Sequence, residues 1–215
     1  MARSGTIAAL YDRFLRKHPK QSRSRHVVEA VLAAAGELAS EDEEVTIQDV
    51  AQRAGVGIGS VYDYFDDRES IFSSFAAKIT EDNLRRFRTA LSATRDKPLS
   101  EAVSSFVDLA FDTYLTDKRV PRVALRIAHR VGLMPTVAAM QARFAGALAE
   151  ELRARGSALP KDDLEVTAFV ATNIAMGVVH NTLWLTPSPY DDDRLRAEVS
   201  RAVAGYIQTA AASAT

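Results

Sequence analysis

The alternation of apolar and polar positions between residues 46 and 68 predicts two short helices joined by a tight turn. Apolar residues first recur at the spacing of one helix face, at Ile47, Val50, Ala51 and Ala54. Thr46 precedes them as an N-cap, and Gly55 follows as a residue suited to the left-handed conformation that ends a helix. A second helical pattern then continues through Val56, Val61 and Phe65. The small residue Ala51 suits the close crossing of two such helices, an arrangement typical of a DNA-reading helix-turn-helix.

Similar periodicity along the rest of the chain predicts about nine helices and no strand. The first helix is expected near Gln21–Ala39, and a long fourth helix of about 24 residues starts after Asp67 and ends at Lys97-Pro98, because proline disfavours helix in the residue before it. The remaining helices are expected at 99–114, 120–130, 137–152, 161–185 and 191–208. An additional short helix is expected at the N-terminus, where Ile7, Leu10, Tyr11, Phe14 and Leu15 have helical spacing.

The segment from Arg25 to Lys78 resembles the N-terminal domain of the TetR family of bacterial transcriptional regulators. The matching motifs are Ala54-Gly55-Val56, Gly59-Ser60-Val61-Tyr62, Tyr64-Phe65 and Arg68. Gly57 departs from the family pattern, which usually has a helix-capping Ser there, so the second helix has no side-chain cap. The resemblance implies an all-α fold, with a three-helix DNA-binding domain joined by a long helix to a C-terminal helical bundle. We therefore expect a basic arm at 1–20, a helix-turn-helix domain at 21–68, and a ligand-binding and dimerisation domain at 69–215.

Placed on this motif, ten residues are expected to contact double-stranded DNA. Ile58 and Gly59 would lie against the floor of the groove, whereas Ser60 and Tyr62 would donate to phosphates. Tyr62 alternatively only packs, and Asp63 either accepts from a cytosine amino group or pairs with a neighbouring Arg. The remaining candidates lie at helix starts, beside the backbone and in the basic segment: Thr46, Tyr64, Arg68, Arg23 and Arg25.

Charge along the chain is uneven although the formal net charge is only −1. Residues 1–25 carry one acidic residue, Asp12, against a basic set of Arg3, Arg13, Arg16, Lys17, Lys20, Arg23 and Arg25. Such an arm adds phosphate contacts or enters a minor groove, or it is simply a solvated N-terminus; the sequence leaves both readings open.

The last two predicted helices suggest a homodimer. Helix eight is apolar around much of its circumference and carries the small residues Ala168, Ala171 and Ala175, while helix nine offers Leu195, Val199, Val203 and Tyr206. The resemblance implies that these helices meet those of a second copy, so that two heads reach a palindromic operator. The alternative is that helix eight is the core of a monomeric domain.

The resemblance also implies a pocket for a small-molecule effector, of a kind that the residues do not identify. Candidate lining residues combine aromatic, sulfur and polar groups: Phe106, Tyr114, His129, Met134, Phe144, Asn173, Met176, His180 and Trp184. Each is alternatively a core or interface residue. Asn173, His180 and Asn181 interrupt an apolar run and need hydrogen-bond partners, which a cavity or a dimer contact would supply.

Other functional classes find little support in the composition. The absence of cysteine excludes disulfides and thiolate metal sites, and we expect no metal site and no cofactor. Four scattered histidines give no catalytic constellation, so an enzyme is disfavoured. A helical adaptor that does not bind DNA remains an alternative, because Gly57, Asp63 and the neutral overall charge are unusual for a DNA reader.

The N-terminus lacks the pattern of a signal peptide, and polar residues interrupt 164–185, so we expect a cytoplasmic protein. Steric logic favours repression over activation, although no residue fixes the sign.

Overall fold

The computed structural model describes residues 14–41, 45–116, 118–130, 134–157, 159–185 and 188–213. Within these ranges the chain forms nine helices and no strand. The helices are α1 (Ser22–Glu41), α2 (Ile47–Ala54), α3 (Ile58–Tyr62), α4 (Arg68–Ala93), α5 (Leu99–Leu115), α6 (Arg119–Arg130), α7 (Met134–Ala154), α8 (Lys161–Trp184) and α9 (Asp192–Ala212). The all-helical prediction is confirmed. Of the expected extra helix, Ile7, Leu10 and Tyr11 lie outside the described residues.

Two helix ends differ from the sequence-based expectation. The long helix α4 ends at Ala93, several residues before Pro98. The reason is local, because the Thr94 hydroxyl donates to the carbonyl oxygens of Ala90 and Leu91, which closes the last turn. At the other end of the chain, α9 continues past Gln208 to Ala212, because nothing in this alanine-rich stretch breaks a helix.

The chain divides into two compact units. The N-terminal unit combines the chain up to Asp82 with Arg119–Pro135, and the C-terminal unit combines Asn83–Lys118 with Thr136–Thr215. Helix α4 therefore contributes residues to both. The functional boundaries expected at residues 20 and 68 remain predictions.

A single apolar core holds the N-terminal unit together. It joins the inner faces of α1, α2 and α3 to the start of α4 and to α6, through Val28, Val31, Leu32, Val50, Ala51, Val61, Phe65, Ile71, Phe72 and Val123. Leu15, at the end of the basic segment, is also buried in this core. The unit therefore fixes the short helices α2 and α3 by packing.

In the C-terminal unit, α8 packs against α5 and α9. The small residues of α8 face inward, and Ala168, Ala171 and Ala175 are each fully buried within the single chain. Val199 and Val203 of α9 are buried there as well. These five residues are therefore covered by their own chain, where they let its helices approach closely. Leu195 and Tyr206 are half-buried, and the dimerisation role expected of the whole set stays a prediction.

Helix α8 is long and apolar enough to cross a membrane by length and composition alone. The core helix of a water-soluble protein passes the same test, and the inner side of α8 does pack against the helices of its own unit. The apolar character of this inner side is therefore explained by the fold of this unit.

A buried carboxylate links α7 to the end of α4. Glu151, with 6% of its side chain exposed, pairs with Arg95 at 2.6 Å and with Arg155 at 3.2 Å. Arg155 also donates to the carbonyl oxygens of Thr94 and Lys97. These carbonyls follow the last turn of α4, so one arginine at the end of α7 holds the chain segment that leaves α4. The two ion pairs compensate the buried charge of Glu151.

We expect Glu151→Gln to lower the free energy of unfolding by about 2 kcal/mol, because it removes charged hydrogen bonds and leaves Arg155 uncompensated. Urea denaturation at fixed protein concentration measures the change. The matched control is Glu150→Gln, since Glu150 pairs with Arg88 at 3.4 Å with both side chains more than half exposed. That substitution should change stability by less than about 0.5 kcal/mol. Equal effects of the two variants would contradict the role given to the buried pair.

Candidate functional site

The first helix of the predicted motif begins at a complete capping box. The Asp49 N–H donates to Thr46 Oγ1 at 3.2 Å, and the Thr46 N–H donates to Asp49 Oδ2 at 2.8 Å. The Thr46 hydroxyl also donates to this carboxylate at 2.6 Å, and these bonds from Thr46 hold the pKa of Asp49 below its usual value. The expected N-cap is confirmed, although its reciprocal partner Asp49 was missed. The hydroxyl expected to clamp a phosphate is already engaged in the cap.

The turn between the two helices has the geometry that its glycine predicts. Gly55 adopts the left-handed conformation, with φ 66° and ψ 29°. Its N–H donates to the carbonyl of Gln52, and the next N–H, of Val56, donates to Ala51 at 3.1 Å. Two successive backbone bonds thus close the end of α2, and a side chain at position 55 would strain the turn.

The second helix, α3, has one buried face and one open face. It starts at Gly57 without a side-chain cap, as expected from the departure at that position. Val61 and, just after the helix, Phe65 are completely buried. Because these two residues face inward, Ile58 and Tyr62 face solvent, with 39% and 44% of each residue exposed. Apolar and aromatic groups exposed on a short helix form a surface that needs an explanation.

The other residues predicted to contact DNA differ in how much of each is exposed and in what each one contacts within the protein. Gly59 is exposed, and nothing lies within 4 Å of the position where a side chain would begin. Asp63 is exposed and forms no ion pair with any described residue, so the expected pairing with an Arg is not seen. Tyr64 is half-buried against the N-terminal core. The Arg68 guanidinium lies over the Phe72 ring at 5.4 Å, and therefore has a packing role as well.

The end of the basic segment is attached directly beside α3. The Arg16 N–H donates to the Tyr64 carbonyl at 2.9 Å, and its guanidinium lies 3.5 Å from the Tyr62 carbonyl and 3.6 Å from Asp66. Arg23 and Arg25 are exposed at the start of α1. The sequence predicts Arg16 only as part of a basic segment, whereas in the structure the burial of the neighbouring Leu15 anchors this end of the segment.

The C-terminal unit contains a cavity of about 390 Å³, measured out to its open mouth. The cavity is partly open, and this volume includes some open solvent at its mouth. Helices α4, α5, α7 and α8 line it with Asn83, Phe87, Phe106, Leu109, Ala110, Thr113, Tyr114, Gln141, Phe144 and Met176. Of the nine residues expected to line an effector pocket, this cavity brings together Phe106, Tyr114, Phe144 and Met176. His180 lies behind Tyr114, with 5.7 Å between ring centroids.

The other four expected lining residues lie elsewhere. Trp184 and Met134 are exposed by 52% and 42%, and His129 is an exposed residue of the N-terminal unit. Asn173 is exposed, and its amide donates to the Phe169 carbonyl at 2.8 Å. Residue type alone suggested these positions, whereas burial depends on which face of each helix meets a neighbour.

Asn83 and Phe87 are the informative residues that the sequence analysis did not assign to a pocket. Both fall on the apolar stripe of α4, where Ile79, Asn83 and Phe87 succeed one another at four-residue intervals. A polar side chain within such a stripe indicates a special environment. That signal was available in the sequence.

Comparison with known families decides the identity. The profile described as "Tetracyclin repressor-like, C-terminal domain" matches residues 98–207, and that described as "Bacterial regulatory proteins, tetR family" matches residues 31–75. The chain belongs to the TetR family. It is therefore a DNA-binding transcriptional regulator, and the open face of α3 lies within the matched DNA-binding segment.

Solved TetR-family structures share the fold at low sequence identity. A family regulator from Mesorhizobium loti superposes with a TM-score of 0.66 at 16% identity, covering 89% of this chain and 98% of its own. A transcriptional regulator from Rhodococcus sp. RHA1 gives 0.66 at 20% identity, with 85% and 96% covered. The repressor AlkX from a Dietzia strain, implicated in biodegradation of n-alkanes, gives 0.56 at 20% identity, with 84% and 97% covered. A search of the curated proteins found no match.

We expect Tyr62→Phe to weaken DNA binding about fivefold, because it removes one phosphate hydrogen bond and leaves the aromatic ring in place. Fluorescence anisotropy with a selected DNA fragment measures the affinity. Tyr190→Phe is the matched control, since Tyr190 is also exposed, by 61%, but belongs to the C-terminal unit. Unchanged affinity of the Tyr62 variant would show that this residue only packs.

Proposed function

We propose that this TetR-family regulator is a homodimeric repressor that reads a palindromic operator and releases it when a small effector binds. The observation that carries the proposal is the open face of α3, where Ile58, Gly59 and Tyr62 stand exposed on a helix anchored from behind by Val61 and Phe65. A rigidly held helix with a free face is what major-groove reading requires. Regulators of this family are generally not enzymes, and we propose a cytoplasmic location.

The chemistry of the open face favours shape and apolar contact over hydrogen-bond readout. Ile58 suits a thymine methyl group, and Gly59 allows the backbone to approach the bases closely. Ser60, which is half-buried, and Tyr62 are candidates for phosphate contacts. Arg16 holds the end of the basic segment beside α3, which supports the interpretation of that segment as a DNA-binding arm. Much of the specificity would then come from DNA shape and from the spacing of two heads.

Selection of genomic DNA fragments by the purified full-length protein tests DNA reading. We expect enrichment of fragments with two related half-sites about one helical turn apart, bound with an affinity that falls steeply with salt. Replacing Lys17 and Lys20 by Gln should reduce the salt slope by up to about two units if the arm contacts phosphates. Failure to enrich any fragment would contradict the proposed function and favour an adaptor that does not read DNA.

The proposed dimer surface is the outward face of α8, opposite the buried alanines. Val166, Phe169 and Trp184 lie on this face with 61%, 51% and 52% of each residue exposed. Gly177 lies between them, and an added Cβ there would meet no atom within 4 Å. Large apolar side chains around a glycine offer both area to bury and a point of close helix approach.

The polar residues on and beside this face do not oppose burial. The Asn173 amide donates to the Phe169 carbonyl at 2.8 Å, and the Asn181 amide donates to the Gly177 carbonyl at 2.7 Å. Partners that were expected from a cavity or a second chain are thus supplied by the helix itself. A partner helix covering them would leave fewer unsatisfied groups, which supports the homodimer.

Gly177→Gln is expected to shift the dimer toward monomer by at least tenfold in dissociation constant, because a long side chain prevents close approach of the partner helix. Analytical ultracentrifugation measures the shift. Gly146→Gln is the matched control, since Gly146 is also an exposed helix glycine whose added Cβ meets nothing within 4 Å. Both changes suit a single helix. If both variants dimerise like the unmodified protein, this face is not the dimer interface.

The cavity in the C-terminal unit is the proposed effector site. Aromatic residues from three helices converge on it, with Phe87 4.9 Å from Phe106 and 5.4 Å from Phe144 between ring centroids. Its wall includes Asn83 and Phe87 of α4, the helix that contributes residues to both units. A ligand here would contact the same helix that carries Arg68 and Phe72 of the N-terminal unit.

A further inference from the structure

Two hydrogen-bond donors in the wall of the cavity lack partners among the described residues. The Asn83 amide nitrogen Nδ2 and the Thr113 hydroxyl Oγ1 are both buried atoms without a hydrogen-bond partner. Asn83 as a residue is only 8% exposed. Buried polar groups in native proteins are nearly always hydrogen-bonded, so these two require an acceptor that the described residues do not supply. The acceptor belongs in the cavity because both residues line it.

Apart from Gln141 and the hydroxyl of Tyr114, the rest of the wall is apolar and largely aromatic. Phe87, Phe106 and Phe144 form a continuous ring cluster, and Met176 adds a thioether side chain that adapts to the shape of a ligand. An apolar wall of this kind binds the apolar body of a ligand, and aromatic faces favour an aromatic one. The two donors then fix its orientation.

Among the residues that the structure describes, the cavity wall offers no partner for a charged ligand. None of its ten lining residues is Asp, Glu, Lys, Arg or His. Burial raises the pKa of Tyr114 and lowers the pKa of His180, so both side chains are uncharged near neutral pH. A charged group here would be desolvated without a counter-ion, which is strongly unfavourable.

We propose that the cavity binds an uncharged, mainly apolar molecule with one oxygen acceptor, which accepts a hydrogen bond from Asn83 and lies within reach of Thr113. This inference rests on the proposed function, because it specifies the class of effector for the same site. The volume of the cavity includes open solvent at its mouth, so the ligand makes room for itself by moving side chains there. A buried water bridging the two donors is the competing occupant.

The test uses four probes of matched size: acetophenone, ethylbenzene, benzoate and 1-phenylethylamine. They present respectively a neutral ring with an acceptor, a neutral ring without one, an anion and a cation. Methyl resonances of ¹³C-labelled methionine report binding in the full-length protein, because Met176 lines the cavity and exposed Met134 does not. We expect saturable shifts of the Met176 methyl with acetophenone, about fivefold weaker binding of ethylbenzene, and no saturable shift with either charged probe.

Substitution of the donor assigns the preference to Asn83. Asn83→Leu should equalise the affinities of acetophenone and ethylbenzene, while Gln208→Leu, at an exposed amide of α9 outside the cavity, should leave the preference unchanged. Thermal unfolding of both variants verifies that they fold, and Asn83→Ser provides a second variant that retains a donor of smaller reach. A preference that survives Asn83→Leu would overturn the proposal, as would tight binding of benzoate or the absence of any shift at Met176.

If a buried water holds the two donors instead of the ligand, acetophenone and ethylbenzene bind the unmodified protein with equal affinity. That result would also overturn the proposed hydrogen bond. The NMR measurement does not involve DNA. Loss of DNA affinity on adding acetophenone is measured separately. If acetophenone binds as described but does not change DNA affinity, the effector response in the proposed function is contradicted. The proposed class of ligand is not affected by that result.

Discussion

The burial of Val61 and Phe65 determines what the N-terminal unit presents to its surroundings. Helix α3 has five residues and no side-chain cap, so it has little stability of its own. Its position depends on two completely buried side chains and on the turn closed by Gly55. Because those two residues face the core, helical geometry places Ile58 and Tyr62 on the opposite side, where they face solvent. The exposed face of α3 is thus a consequence of packing on the opposite face.

The same relation between two faces applies to α8. Its alanines at 168, 171 and 175 fill the close contacts of the C-terminal unit, which leaves Val166, Phe169 and Trp184 outward. Because the side-chain amides of Asn173 and Asn181 donate to their own helix, the outward face has few open hydrogen-bonding groups. A helix that is apolar on both sides can therefore pack into the core of its own chain with one side and contact a second chain with the other.

Much of the fold was predictable because helix periodicity, Gly55 and the capping residues act locally. The orientation of α8 was not, since an apolar pattern on all sides does not say which side meets the chain's own core. Interactions between distant residues were equally hidden: Arg155 bonds to carbonyls that follow α4, some 60 positions earlier in the chain. At the candidate sites, the pattern predicted that Ile58 points away from the core, and Ile58 is exposed. Two other features depend on neighbours in three dimensions. They are the hydrogen bond between the Thr46 hydroxyl and Asp49, and the presence of Asn83 and Thr113 in the wall of one cavity.

The free energies of the two proposed effector contacts, the hydrogen bond to Asn83 and the apolar contact with the phenylalanines, indicate what each contributes to the response. Reversing a two-state population from mostly DNA-competent to mostly released requires about 5 kcal/mol of differential binding. One hydrogen bond to Asn83 supplies about 1 kcal/mol, which is too little. Burial of roughly 150–200 Å² of apolar ligand surface against the phenylalanine cluster supplies about 4–5 kcal/mol, if that contact exists only in the released state. The apolar contact must then drive the response, and the hydrogen bond selects which apolar molecules elicit it.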